Sequence, residues 1–262
     1  MTLSLCLTVN NRPEGVSRQV AASLRLPGNQ PDELILVLDR PTEDARDAAI
    51  AAYKDFDFPV RTIHIPGKPG WLCPARAWNH AFAAVTSDLI YCISSEVVQD
   101  AGNIEKAREI CKDGKTVVFG ACENSKPTSL VVGAEKGELA SSILQRPLGF
   151  IACMPTNNVM SIGGCDEAFM DGLWFEDDDF YLRLWWTGVN FVFDDGIHGI
   201  HLDHPRPDLE TPAGLAKTRQ NAAIMKSKHG LEHVWNQLPR ITECYEKRTI
   251  WKHPEDFSEF GL

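Results

Sequence analysis

The sequence contains no C-x-x-C pair, although eight cysteines are spread along it at positions 6, 73, 92, 111, 122, 153, 165 and 244. Closely paired thiols are what a structural zinc or a dithiol redox centre needs, so neither is expected. Most of these cysteines sit in apolar segments and read as reduced core thiols of a cytoplasmic protein. No stretch approaches the roughly 20 apolar residues of a membrane span. The N-terminus, Met1-Thr2-Leu3-Ser4-Leu5-Cys6-Leu7, lacks a basic region and a long apolar run, so it reads as a strand and not as a signal peptide. Basic residues are the minority, 26 against 36 acidic ones, for a net charge of −10. That balance argues against a nucleic-acid or anionic-membrane surface while leaving room for a local basic pocket. Internal repeats, low-complexity tracts and interdomain linkers are also missing. The 262 residues, 44% of them hydrophobic, are enough to bury the core of one large α/β domain or two small ones.

What is present alternates. The apolar run Leu3 to Val9 stops at Asn10-Asn11-Arg12-Pro13 and is followed by a helical spacing of Val16, Val20 and Leu24. Glu33 to Leu38 is a continuous apolar strand, suited to burial on both faces of a parallel sheet. It ends at Asp39, before an alanine-rich helix. Val60 to Ile65 is a third strand, a helix carrying Trp78, Ala81, Phe82 and Val85 follows, and Leu89 to Ile93 is a fourth strand ending at Ser94-Ser95-Glu96. Strands alternating with helices indicate a doubly wound sheet, and ligands bind such sheets outside the carboxyl ends of the strands. Thr8 to Arg12, Asp39 and Ser94 to Glu96 lie at those ends. Asp39 has the chemistry to accept hydrogen bonds from a ribose or a base. Arg76, near a helix start, suits a phosphate.

The second half is less regular. Thr116 to Gly120 and Ser129 to Gly133 read as strands, Ile151 to Met154 as another, Asn158 to Ile162 as a short helix, and Val189 to Phe193 as a strand. From Thr211, with Pro212 in the first turn, a basic helix runs to about Gly230. Beyond it Val234, Trp235, Ile241 and Trp251 are apolar points expected to pack back on the body. The most unusual stretch is Glu176-Asp177-Asp178-Asp179, walled by Trp174 and Phe175 before and by Phe180 and Tyr181 after. Neighbouring like charges repel, and the aromatics raise that cost by lowering the local dielectric. Apolar spacing at Tyr181, Leu184 and Trp185 starts a helix here. One or two acids would complement the helix dipole; four suggest a carboxylate held at the helix start as a general base.

Taken in order, these fragments resemble nucleotide-sugar-dependent glycosyltransferases with the GT-A fold, in pattern those of glycosyltransferase family 2. The resemblance runs from about residue 3 to 230. It rests on Asn11-Arg12, on Asp39 with Thr42 and Asp44, on Arg76 and Asn79, and on Gly163-Gly164-Cys165-Asp166-Glu167-Ala168-Phe169 followed by Glu176-Asp177 and Arg183. It implies a single Rossmann-like α/β domain over residues 1–230, with a mostly parallel central sheet flanked by helices. Residues 1–100 would be the nucleotide-sugar half and 101–205 the acceptor and catalytic half. Residues 206–262 would form a helical tail packed on the domain. It implies an inverting transfer of a sugar from a nucleotide diphosphate sugar, UDP-linked, to an acceptor hydroxyl. In this reading Thr8, Asn10, Arg12, Asp39, Arg76, Asn79, Ser94 and Ser95 serve the donor. Asp177 is the base, Glu176 and Asp178 position the acceptor, and Trp174 stacks on a sugar ring.

One departure stands out. Where the family carries Asp-x-Asp to hold Mg²⁺ or Mn²⁺, this chain reads Ser94-Ser95-Glu96. Glu96 keeps a hard oxygen ligand at the last position, and Ser94 is a poor substitute at the first. The family also places a histidine after the strand that follows the acidic helix. His201 and His204 are the candidates, with His198 behind them, and imidazole favours Mn²⁺ over Mg²⁺. The eroded motif keeps open a catalytically silent sugar-nucleotide-binding protein on the same fold. A nucleotidyltransferase would carry a Gly-rich basic loop after the first strand, which Asn10 to Gly15 is not. The acceptor stays open, a modified nucleobase included.

Overall fold

In the computed structural model, residues 1–67, 73–126, 138–204, 211–230 and 238–254 are described. The apolar runs become the centre of one sheet. β1 (Leu3–Val9), β2 (Glu33–Asp39), β3 (Val60–Ile65) and β4 (Leu89–Ser94) lie in the order β3-β2-β1-β4, all parallel. β2 is buried at every position, as its unbroken apolar run requires when helices cover both faces. On one face α1 (Glu14–Leu24) and α2 (Glu43–Tyr53) pack through Val16, Val20, Leu24, Ala49 and Tyr53. On the other, α3 (Ala75–Ala84) packs through Ala77, Ala81 and Phe82. Thr42 caps α2 by accepting from the Ala45 amide, which starts the helix just after the β2 tip.

The second half extends this sheet with strands of both directions. β5 (Val97–Gln99) and α4 (Asn103–Ile110) precede β6 (Thr116–Asn124), β7 (Glu138–Ala140) and β8 (Ile151–Pro155). β8 lies antiparallel between β4 and β6 and so joins the two halves. α5 (Thr156–Ser161) and a 3₁₀ turn at Glu167–Phe169 lead to α6 (Glu176–Trp185). Then β9 (Asn190–His201) runs parallel to β6 with a register shift after Gly120, which carries its far end to β5. The expected strand at 129–133 lies outside the described residues, as do Val234 and Trp235. β5 and β7 are too short to show a period.

The tail differs from the helical one expected. α7 (Pro212–His229) is followed by a hairpin, β10 (Ile241–Tyr245) and β11 (Arg248–Lys252), and β11 adds antiparallel to β9 at the sheet edge. Thr249 and Trp251 are buried and their neighbours less so, a period of two that fits a strand. Trp251 does pack back, edge-on to Phe193 with ring centroids 4.8 Å apart. Buried Asp194 of β9 ties the hairpin down through Arg248, and α4 through Lys106.

Candidate active site

The tips of the parallel strands gather the first cluster. Thr8 at the end of β1 pairs in register with Ser94 at the end of β4. Glu96 follows in the tight turn to β5, buried, and the β9 register shift brings His201 opposite Val97. Glu96 Oε2 accepts from Arg12 Nε at 2.8 Å and from Ser95 Oγ at 2.9 Å. Its other oxygen, Oε1, lies 3.3 Å from His201 Nε2 and 3.7 Å from His204 Nε2. Burial alone would raise this carboxyl. The Arg12 guanidinium, with His201 and His204, outweighs that and holds it well below the usual carboxylate range. One carboxylate oxygen and two imidazole nitrogens within 4.8 Å of one another make a donor set that fits a divalent transition metal. Arg12, Ser95, Glu96, His201 and His204 therefore meet, though they come from three separate parts of the chain.

At the next strand tip Asp39 is buried, and both its oxygens are engaged by Arg40, at 2.8 and 3.0 Å. Arg40 holds a φ of 47°, a left-handed conformation that costs a side-chain-bearing residue energy. Asn10 reaches across from β1 and donates to the Asp39 carbonyl at 2.6 Å, while Asn11 accepts from the Thr42 amide.

The second cluster starts α6. Glu176 and Asp177 line a small pocket with Pro74, Trp78 and Phe82 from the α3 side and Phe180 and Tyr181 from α6. Cys92 of β4 and Gly149 complete the side toward the strand tips, and Gly149 accepts from Ser94 Oγ at 3.4 Å. The pocket thus borders the tip of β4. Glu176 Oε2 is buried with no hydrogen-bond partner among the described residues. Burial pushes the Glu176 carboxyl up to about 7, and the charge of Asp178 adds to the rise. Asp177 is raised well above its ordinary range by burial and then by the charges of Asp178 and Glu176. Trp174, just before this turn, is exposed.

Arg76 and Asn79 on α3 hold the Gly-Gly segment. Arg76 Nε donates to Glu167 at 2.9 Å, and Asn79 donates to the Cys165 carbonyl and accepts from its amide. Gly164, at a φ of 73°, lies so close that a β-carbon there would meet Asn79 Oδ1 at 2.5 Å. The glycine is what lets the segment reach α3.

Comparison with known proteins decides the family. The description "Glycosyl transferase family 2" covers residues 4–147, more than half of the chain. The chain belongs to glycosyl transferase family 2. Among solved structures its fold is similar to that of S. aureus TarS 1–349 in complex with UDP-GlcNAc (TM-score 0.65, 12% identity, 90% of this chain and 70% of that one). It is also similar to the mannosyltransferase PcManGT from Pyrobaculum calidifontis in complex with GDP-Man and Mn²⁺ (TM-score 0.59, 14% identity, 78% and 58%). A third is GalNAc-T7 with UDP, GalNAc and Mn²⁺ (TM-score 0.60, 12% identity, 85% and 48%). At such identities the likeness is one of fold: a central, mostly parallel sheet flanked by helices. The chain spans about half the length of the last two. No curated protein matches it in sequence. No helix among the described residues is long and apolar enough to cross a membrane.

The family match stops before the acid run, so the chemistry of residues 176–179 rests on the geometry. There the sequence left Asp179 without a role, and the structure gives it one. Asp179 is fully buried and bound by Arg183 at 2.8 Å, by His229 at 2.8 Å and by Lys228. Those partners outweigh burial and hold its carboxyl below the ordinary range. The signal was available in part, since Arg183 stands four residues on. Arg40, beside Asp39, was also passed over.

Proposed function

We propose that this family 2 protein is an inverting glycosyltransferase that moves a sugar from a nucleotide diphosphate sugar, UDP-linked, to an acceptor hydroxyl, with Asp177 as general base. The observation that carries the reading is the pair Glu176 and Asp177, raised in pKa, in a pocket that borders the strand tip bearing Glu96. A carboxylate whose pKa is raised by burial pulls harder on a proton than an ordinary one. The donor would lie across the tips of β1, β2 and β4, among Thr8, Asn10, Arg12, Asp39, Ser94 and Ser95, with Arg76 and Asn79 shaping the wall above. The acceptor oxygen attacks the anomeric carbon as Asp177 takes its proton. The bond from that carbon to the diphosphate oxygen breaks, and the diphosphate leaves with the electron pair. Glu176 and Asp178 orient the acceptor, and exposed Trp174 offers a ring face to a sugar.

Glu96, His201 and His204 would hold Mn²⁺ in preference to Mg²⁺, because two of the three donors are imidazoles. A bound ion there supplies positive charge beside the diphosphate. Arg12, fixed against Glu96, brings a permanent cation to the same place. Ser94 in place of the usual first acid favours a second reading, a sugar-nucleotide-binding protein without turnover. Thermal shift with UDP- and GDP-linked sugars, with and without Mn²⁺, followed by donor consumption, tests both. A ligand that binds only the native state raises the melting temperature according to its affinity. Binding with slow hydrolysis or transfer supports the transferase; binding with no turnover toward any acceptor or water supports the silent protein.

A further inference from the structure

The turn that presents the acid run is strained. Trp174 and Phe175 both have left-handed backbones, at φ of 63° and 69°. A left-handed backbone is unfavourable for any side-chain-bearing residue, so the surroundings must over-determine both. The surroundings are α7, 40 to 50 residues further along the chain. Asn221 is fully buried, and its Nδ2 donates to the Trp174 carbonyl at 2.8 Å and to the Phe169 carbonyl at 3.1 Å. Gly172 closes against the same amide; a β-carbon there would stand 1.9 Å from Asn221 Oδ1. Beside it the Leu173 amide donates to the Lys217 carbonyl. Two turns further along α7, Lys228 and His229 hold Asp179, and Lys228 also reaches Asp166 at 2.6 Å. Glu176, Asp177 and Asp178 therefore sit between two grips of one helix.

We infer that Asn221 is a positioning residue for the transfer reaction: its amide fixes the Trp174-Phe175 backbone and thereby aims the Glu176 and Asp177 carboxylates into the pocket. This rests on the transferase reading for its kinetic consequence, and on geometry alone for its structural one. Nothing in α7 touches the pocket, so the effect runs through the turn. The groups that face the two carboxyls are Asp178 and Tyr181 on α6 and the thiols of Cys73 and Cys165. None of them is held by Asn221.

The test compares the 262-residue chain with its Asn221→Ala and Asn221→Asp variants, the second of which keeps the shape but loses the donor. Amide hydrogen exchange at residues 173–178 and the carboxyl titration of Glu176, followed by NMR, need no substrate. Both variants should speed that exchange at least tenfold and move the titration down from about 7 toward the ordinary carboxylate range. In transfer, kcat should fall by up to about a hundredfold with the donor KM unchanged, as for a misplaced reacting group. Unchanged exchange and titration overturn the inference whatever the kinetics do, and so does a loss that appears only as weaker donor binding. If Asp177→Asn keeps full turnover, the base assignment fails instead, and the exchange and titration still judge the clamp. Should Asn221→Ala not fold, Asn221→Asp with retained donor binding serves the same comparison.

Discussion

Glu96, in the turn after β4, and the pair Glu176–Asp177, at the start of α6, are carboxylates in opposite electrical states. Glu96 is surrounded by Arg12, His201 and His204, and its proton is lost far below neutrality. Glu176 and Asp177 are surrounded by aromatic rings, thiols and each other; burial pushes Glu176 up to about 7 and holds Asp177 well above its ordinary range. Burial acts on both in the same direction; only the partners differ. A carboxylate locked ionised beside cations is suited to binding charge. One with few partners and a carboxyl raised by burial is suited to moving a proton. The division matches the two tasks of a sugar transfer, neutralising a diphosphate and activating a hydroxyl.

The comparison can be broken in several places. Asp177→Asn keeps the shape and removes the basicity, so transfer should fall by about 10²- to 10⁴-fold, the usual worth of a general base. Donor affinity, measured by calorimetry, should hold. Asp179 is a control within the same acid run. Asp179→Asn leaves Arg183, Lys228 and His229 facing a neutral group in a buried place, and urea unfolding should show a loss of about 3–5 kcal/mol. Glu96→Gln tests the cation side. At Mn²⁺ one hundred times its Kd the native protein should gain about 2.7 kcal/mol by linkage, and this variant should gain little.

A further effect concerns pH. A carboxyl raised by folding keeps its proton longer in the native state than in the unfolded chain. Stability therefore falls as pH rises from the ordinary Glu range through about 7. Glu176→Gln should remove that slope, roughly 1.4 kcal/mol per pH unit between the ordinary Glu range and about 7, read from melts across pH 4 to 8. Asp179 works the other way: its contribution is present above the ordinary Asp range and is lost as pH falls below it.

Much of this was legible in the residues. The continuous apolar run of β2 announced a parallel strand buried on both faces, and Asp39, Glu96 and the acid run sit where strand ends and a helix start were read. What stayed hidden depends on distant parts of the chain. The β10–β11 hairpin is short and mixed in composition, and only the edge of β9 makes it a strand. Asn221 looks like any polar helix residue until Gly172 and the Trp174 carbonyl close on it. Arg12 and Glu96, 84 positions apart, become a pair only when β1 and β4 lie side by side. Local pattern carries propensity; such pairings are set by tertiary packing.

The stereochemistry of transfer tests the central claim most directly. Proton NMR of the first-formed product, taken before any anomeric equilibration, reads the configuration at the transferred carbon. A single displacement assisted by Asp177 predicts the anomer opposite to that of the donor. A product that keeps the donor's configuration would contradict it.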